Sequence, residues 1–521
     1  MKKLLYSTLI FLTTLSSCHF LDDYSQDLVV VKSVTDLDEL LLGDVYMDSK
    51  KSIVNLSYGD YGWFMLVLDD DINGVVYEGG GGPTHDGFAN ELIRYAYYGF
   101  TTWQMQVERP YDGGNLNSIL DLYWNDLYRR INICNVILDE IEKLHIENDN
   151  ERIAGLRVRA EAHFMRAYFY FQLNNLFADM YSPDSASVIL GVPMKTTSYV
   201  EHDKDKTSQF DRTPLNKVYE QIISDLKASI AYFDESPQIH SYYRTSGMAA
   251  RLLLGRVYLY MQNWAEARKV TGELLEMRPI MRSYLGLAHG DIVITRDNPE
   301  ILFSTGSLHA QNFVVGKIGD FCVAEDLYKL YRENDARKDI FFSRTIGTDS
   351  LTTNGKYDQH YHQSYVSDLN IIRTSEAYLN MAEACVMDND PAEAMKWLNE
   401  FCYYRYSDYE EPSYDTRTLV NEIRLERRKE FCFEGGHRWF DLRRYAVNKK
   451  YPYSRAIERV FPVYNGSVQL THIEIYRLEE HDQAYTFLLP RKVREFDTGM
   501  PDNRERPDRK AIEIINPSDE Y

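Results

Sequence analysis

The chain has 521 residues, 79 of them acidic and 58 basic, for a formal net charge of −21. Nucleic-acid binding depends on cations set against phosphate, so this balance excludes a nucleic-acid partner and disfavours direct adhesion to anionic headgroups. Apolar residues at 44% and aromatics at 13% describe a globular chain with a large core.

Lys2 and Lys3 precede an apolar stretch from Leu4 to Leu15, and Ser16 and Ser17 lead into Cys18. A charged start, a short apolar run and small residues at a cut make a secretory signal. The run is too short to span a bilayer, which needs about 20 apolar residues, and no second long run follows. Leu15-Ser16-Ser17-Cys18 resembles the lipobox of bacterial lipoproteins. That resemblance implies removal of residues 1–17, a diacylglycerol on Cys18 and a mature chain over 18–521. Stable anchoring takes more than one acyl chain, which lipoproteins supply by acylating the new amine as well. Asp22 and Asp23 resemble the acidic signal that sends such proteins to the outer face of the outer membrane. The five other cysteines are an odd, scattered set in mostly helical patterns, so buried free thiols are expected rather than a disulfide framework.

Residues 50 to 118 are rich in Gly, Tyr and Asp, and "YEGGGGPTHDG" cannot be a continuous helix. Asp69-x-Asp71-x-Asn73-Gly74 matches the first half of a calcium loop, but the closing glutamate is replaced by Gly80, so it reads as a solvated turn. The four glycines lack the Lys-Ser/Thr of a phosphate loop. Helices follow. Trp124, Tyr128, Ile131 and Leu138 fall at helical spacing, as do Ala160, Phe164, Ala167 and Phe171. Thr213-Pro214 reads as a helix opening. Between 247 and 279, Leu254, Gly255, Tyr258, Ala267 and Pro279 stand at tetratricopeptide offsets. Ala382 and Ala394 repeat the Gly255-to-Ala267 spacing. The predicted fold class is mainly α, a tetratricopeptide-like scaffold of helical pairs over about 120–280 and 370–445. Loop-rich regions at about 50–118 and 280–370 are the expected binding surfaces. His360-x-His362 lacks a third ligand for a metal. Glu426, Arg427, Arg428, Glu430, Glu434, Arg438, Asp441 and Arg443, at helical spacing, read as a structural ion-pair network.

Pieces along nearly the whole chain, in order, then carry a family resemblance. They are "HFLDD" after the lipobox, "YWNDLYRRINICNVIL", "RAEAHFMRAYFYFQLNNLFADM", "GVP" at 191–193, "NPEILF", "DLYKLYRENDARKD", "IIRTSEAYLNMAEA", "ERRKEFCFEGGHRWFDLRRY" and "LLPRKVRE". Together they resemble the SusD/RagB-type lipoproteins of the Bacteroidetes outer membrane. One departure is the long ending after the Leu-Pro motif, "FDTGMPDNRERPDRKAIEIINPSDEY", which puts the C-terminal surface in question. The resemblance implies a single SusD-like domain over 18–521. It implies a lipid-anchored lid at the cell surface that captures a glycan, or in some members a peptide, for a partner SusC-like TonB-dependent barrel. It implies no catalysis and no cofactor or metal. It also points to ligand residues before the first long helix: Arg94, Tyr95, Tyr97, Tyr98 and Trp103, with Asp69, Asp70, Asp71 and Tyr77 upstream. A second set is Tyr284, His309, Asn312, Tyr357 and Tyr361. Aromatic rings cover the apolar faces of sugars, and Asp, Asn and Arg read hydroxyls. Trp103 is the foremost candidate, since no helical stripe explains it. Two other classes stay open. A surface glycoside hydrolase needs two carboxylates across the scissile bond, and a protein-binding scaffold would use the repeat groove.

Overall fold

The computed structural model describes residues 31–46, 62–76, 93–114, 118–199, 210–236, 241–305, 321–344, 350–357, 366–367, 369–465 and 469–516. Cys18, Tyr77, His309, Asn312, Tyr361 and the pair His360 and His362 lie outside these residues.

The helices begin where the sequence supplies caps. In α1 (Val34–Leu40), the Ser33 hydroxyl accepts from Asp36 N and the Asp36 carboxylate accepts from Ser33 N, a capping box. α2 (Ile119–Ile141) precedes α3 (Asp149–Phe177), which opens on the Asn148 side chain. At 29 residues α3 is about 43 Å long. Every residue from Phe164 to Phe177 is buried, so this half of α3 runs through the core rather than over it. α4 (Leu215–Asp234) starts one residue after Pro214, which occupies the cap position rather than the first turn. α5 (Gly247–Tyr260) and α6 (Trp264–Met277) form a hairpin. Gly255 is required at its seam: a Cβ there would meet Thr271 Oγ1 at 2.6 Å. Ala267 packs fully buried in the same hairpin.

α7 (Ser375–Met387) is buried at every position and pairs with α8 (Pro391–Tyr403). α9 (Thr416–Phe431) and α10 (His437–Ala446) meet at a corner where Gly435 and Gly436 take positive φ, a conformation glycine adopts without strain. α11 (Arg491–Phe496) is the last helix. The helices from α2 to α8 stack in sequence order. α6 and α7 are neighbours in this stack although residues 278–374 separate them. The two ends of that insertion are stitched together, because the Thr374 hydroxyl donates to Ile280 O at 2.5 Å.

The strands are short. β1 (Ile72–Gly74), β2 (Leu190–Pro193), β3 (Arg212–Pro214), β4 (Ile301–Ser304), β5 (Phe321–Val323), β6 (Phe342–Arg344), β7 (Leu351–Thr353) and β8 (Ile371–Arg373) form the antiparallel pairs β1–β5, β2–β3, β4–β8 and β6–β7. A longer hairpin, β9 (Ile457–Asn465) and β10 (Gln469–Leu478), takes β11 (Glu513–Ile515) as its outer strand. The unusual C-terminal stretch is therefore integrated. The Asn503 amide donates to Phe177 O and Phe487 O, and Arg509 N donates to Gln104 Oε1 at 2.9 Å.

The charges of α9 do join separate elements. Glu430 is fully buried and accepts from Arg405 twice at 2.8 Å, from Arg373 at 2.6 Å and from Arg337 at 3.3 Å. Glu434 takes Arg373 Nε at 2.8 Å and Lys356 at 3.2 Å, and Arg427 bridges Asp441 and Glu376. Arg443 departs from the expected pattern, donating to the carbonyls of Asn175 and Ala178 instead of to a carboxylate. Burial alone would raise the Glu430 carboxyl, but Arg405 and Arg373 hold it well below the usual carboxylate range. Removing one partner of a buried pair leaves the others uncompensated, at about 3–5 kcal/mol. Glu430→Gln is expected to lower chemical-denaturation stability by that amount; an unchanged midpoint would show that the arginines find other partners.

Candidate functional site

The residues expected to bind ligand mostly turn inward. Trp103 is 1% exposed, with φ at +53°, and its indole N–H donates to Leu68 O at 2.7 Å. The Arg459 guanidinium lies 5.4 Å from its ring centroid. Positive φ is unfavourable for a bulky residue and persists only where the surroundings enforce it. A ring so enclosed cannot cover a sugar face, and Trp103 is a core residue. Arg94 is buried between the rings of Tyr95 and Tyr464, 5.2 and 5.1 Å from their centroids. Tyr97 is 4% exposed and packs on Phe100. Tyr98 is half-buried, its hydroxyl 2.9 Å from that of Tyr476, and it shares a cluster with Tyr95, Tyr111 and Phe461. Tyr284 and Tyr357 are fully buried.

Asp69, Asp70 and Asp71 are buried, with ligand-type oxygens within 4.8 Å of one another, so the segment is not a solvated turn. Three guanidinium groups supply the positive charge here. Arg438 lies 2.7 Å and Arg455 3.0 Å from Asp70, and Arg428 lies 2.7 Å from Asp71. Burial and then the neighbouring carboxylates of Asp71 and Asp70 hold Asp69 well above the ordinary range. Arg459, the arginine beneath Trp103, donates to Ile72 O, and with Arg428 and Arg438 it fixes the β1 segment to α9, α10 and β9.

An open groove lies elsewhere, and none of those residues lines it. Its volume is about 900 Å³, at the upper end of the roughly 300–1,000 Å³ of small-molecule sites. A second cavity beside Arg157 and Arg244 measures about 140 Å³, well below that range. One wall of the groove is a face of α2 carrying Trp124, Asn125, Tyr128, Arg129 and Asn132, spaced to project to one side. The second wall is the segment from Pro193 to Ser198 with Phe210, Asp211 and Thr213; the third is Lys492, Val493 and Phe496 of α11, with Met500. Phe496 is 65% exposed, a large ring left open in a polar stretch.

Buried polar groups hold the second wall from beneath. The Asn135 amide donates to Lys195 O at 3.1 Å and Thr197 O at 3.0 Å. The Tyr170 hydroxyl donates to Lys195 O and accepts from Lys195 N, both at 2.7 Å. Arg166 fixes Asn135 at 2.8 Å and is itself clasped by Asp225. The Tyr128 hydroxyl donates to Pro193 O at 2.7 Å. On the third wall, Asp497 accepts from Phe210 N at 3.0 Å and Asp121 accepts from Lys492 N at 2.9 Å. The groove is thereby shaped before a ligand arrives, which lowers the ordering cost of binding. Its rings suit apolar faces, and its amides, hydroxyls and charges suit a hydroxyl-rich rim. Signals for it existed in the sequence: Tyr128 one turn from Trp124, Lys195 just after "GVP", and Phe496 following "LLPRKVRE".

Glu108 sits beside Asp121 and accepts from Leu120 N at 2.8 Å, capping α2. Burial, with Asp121 adding to it, pushes its carboxyl up to about 7. A raised folded-state value favours the protonated form, so the associated stability is present below the unfolded pKa near 4.5 and lost as pH rises through about 7. Glu108→Gln, which keeps an acceptor, is expected to exceed the parent in stability by about 1–3 kcal/mol at pH 8, with the gap closing toward pH 5. Denaturant titrations at both pH values check this, and a gap independent of pH would refute it. Trp103→Ala is expected to cost about 3–5 kcal/mol of stability in the same assay; loss of ligand binding at full stability would restore Trp103 as a contact residue.

Comparison with known proteins fits this architecture. A family model described as SusD-like, starch-binding associating with outer membrane, matches residues 90–259, and the SusD family model of the SusD/RagB type matches residues 348–497. The SusD-like protein P25 of Formosa agariphila is 25% identical over 183 residues, which are 35% of this chain and 31% of that protein. The match therefore spans about a third of the length of that curated relative. A crystal structure of a SusD superfamily protein from Bacteroides thetaiotaomicron shares the fold with a TM-score of 0.66 at 20% identity, over 91% of this chain and 100% of that one. A SusD-like carbohydrate binding protein from Bacteroides vulgatus does so with a TM-score of 0.68 at 18% identity, over 90% and 97%. The chain has the fold of those structures, and with two SusD-type models matched in chain order it is a SusD/RagB-type protein.

Proposed function

We propose that this protein is a lipid-anchored, non-catalytic glycan-binding protein of the outer-membrane surface, which delivers its ligand to a SusC-like TonB-dependent barrel. The observation that carries the binding role is the preformed groove, with open and half-buried rings beside amides and hydroxyls on a rigid backing. The carbohydrate-binding relative from Bacteroides vulgatus supports the glycan as ligand class. No described helix is long and apolar enough to cross a membrane, and the anchor in this reading is the lipid on Cys18. The groove's carboxylates favour binding over hydrolysis. A glycosidase needs two working carboxyl groups facing the bond. Among the described lining residues Asp211 is exposed, whereas Asp497 is 1% exposed and already accepts from Phe210 N.

Isothermal titration of the purified protein against oligosaccharide and peptide panels tests this. Binding of an oligosaccharide without release of shorter products is expected, and Phe496→Ala is expected to weaken it about tenfold, the loss of about 1.4 kcal/mol of ring contact. Peptide binding alone, hydrolysis of the bound chain, or full affinity in Phe496→Ala would each refute it.

A further inference from the structure

The geometry points to an anionic saccharide, with carboxylate or sulfate groups on its rings, as the ligand class of the groove. This rests on the groove being the glycan site proposed above.

The charge of the lining runs against that of the chain. The protein carries −21 overall, yet three cations line one groove: Arg129 on α2, Lys195 on the fixed segment after β2, and Lys492 on α11. They belong to three different walls, so a molecule lying in the groove passes between them. Arg129 is partly satisfied by Asp44 and Asp126, at 3.1 and 3.2 Å. The two lysines are not. Neither ammonium has a carboxylate within ion-pair distance among the described residues, and Lys195 Nζ donates to the neutral Asn132 amide. Against them stand Asp211, exposed at the rim, and Asp497, turned into the wall and engaged by Phe210 N.

The lysine positions are set by the fold. The Lys195 backbone is gripped on both its N–H and its carbonyl by buried Tyr170, and Lys492 N is tied to Asp121. Burial lowers the Lys195 pKa, so its ammonium sits where an incoming counter-charge is most effective. Charge-assisted hydrogen bonds from two ammonium groups carried on a fixed backbone are stronger than neutral ones and discriminate acid from neutral sugar. The net negative charge of the whole chain does not oppose this, because local potential in a cleft follows its own lining.

The test uses matched probes on the purified full chain: tetragalacturonate, its methyl ester, a sulfated galactan tetrasaccharide and a neutral galactan tetrasaccharide, titrated at low and moderate salt. At least one anionic probe is expected to bind about tenfold or more tightly than its uncharged counterpart, with affinity falling as salt rises. The two anionic arms distinguish carboxylate from sulfate. In Lys195→Met/Lys492→Met the acid-to-neutral ratio is expected to collapse toward one, with the melting temperature unchanged. Uncharged probes binding as well as charged ones, or a ratio that survives the double substitution, overturns the inference and leaves the glycan reading standing. If no probe of either kind binds but a neutral oligosaccharide of the wider panel does, this inference falls alone; if no oligosaccharide of that panel binds, both fall.

Discussion

The Glu430 carboxylate is the point on which the irregular half of this molecule depends. It lies at zero exposure on α9 and is gripped by Arg337, Arg373 and Arg405, each from a different part of the chain. Two of those arginines belong to or border the long insertion between α6 and α7, and the third follows α8. Taking four charges out of water is costly, and swapping such a cluster for apolar side chains is often neutral for stability. What the cluster supplies is position, because a buried carboxylate accepting several guanidinium bonds tolerates few arrangements of its partners. Neighbouring pairs extend the lattice through Glu434 to β8 and through Arg427 to Glu376 of α7 and Asp441 of α10.

The same device recurs under the groove. There Asp225 clasps Arg166, Arg166 orients Asn135, and Asn135 carries the segment bearing Lys195. Each link is buried and hydrogen-bonded, so the wall is set from three helices away by residues no ligand touches. A binding surface on a loop is thereby given the rigidity of the helical stack. At the arginine knot around Asp70 the outcome differs. The aspartates are buried, only Arg455 reaches toward solvent, and the charge of the cluster holds the β1 segment in place.

Much of the scaffold was legible in the sequence because it is written locally. Gly255 and Ala267, then Ala382 and Ala394, mark helical pairs by spacing alone, and the charges of α9 at helical intervals signalled a network. The fate of Trp103 was not legible. Its neighbours form a polar stretch with no stripe, which reads as a loop. Yet Arg459, donating to the carbonyls of Thr101 and Ile72, comes from more than 350 positions later. Coverage at that separation leaves no trace in a local window. The aspartates misled for the same reason: their counter-charges, Arg428 and Arg438, are equally distant. In the groove, Tyr128 counted as helix packing by its period, and half of it is, since its hydroxyl is engaged by Pro193 while its ring borders open space.

The stitch between Thr374 and Ile280 has a wider meaning. The chain leaves the stack after α6 and re-enters it at α7 through a gate one hydrogen bond wide, and the two helices pack as though nothing intervened. Closing a long detour costs little more than closing a short one, since the entropy grows only with the logarithm of length. The excursion is thus a cassette with fixed terminals. Its contents can vary without re-engineering the frame, provided arginines still reach the same buried acid.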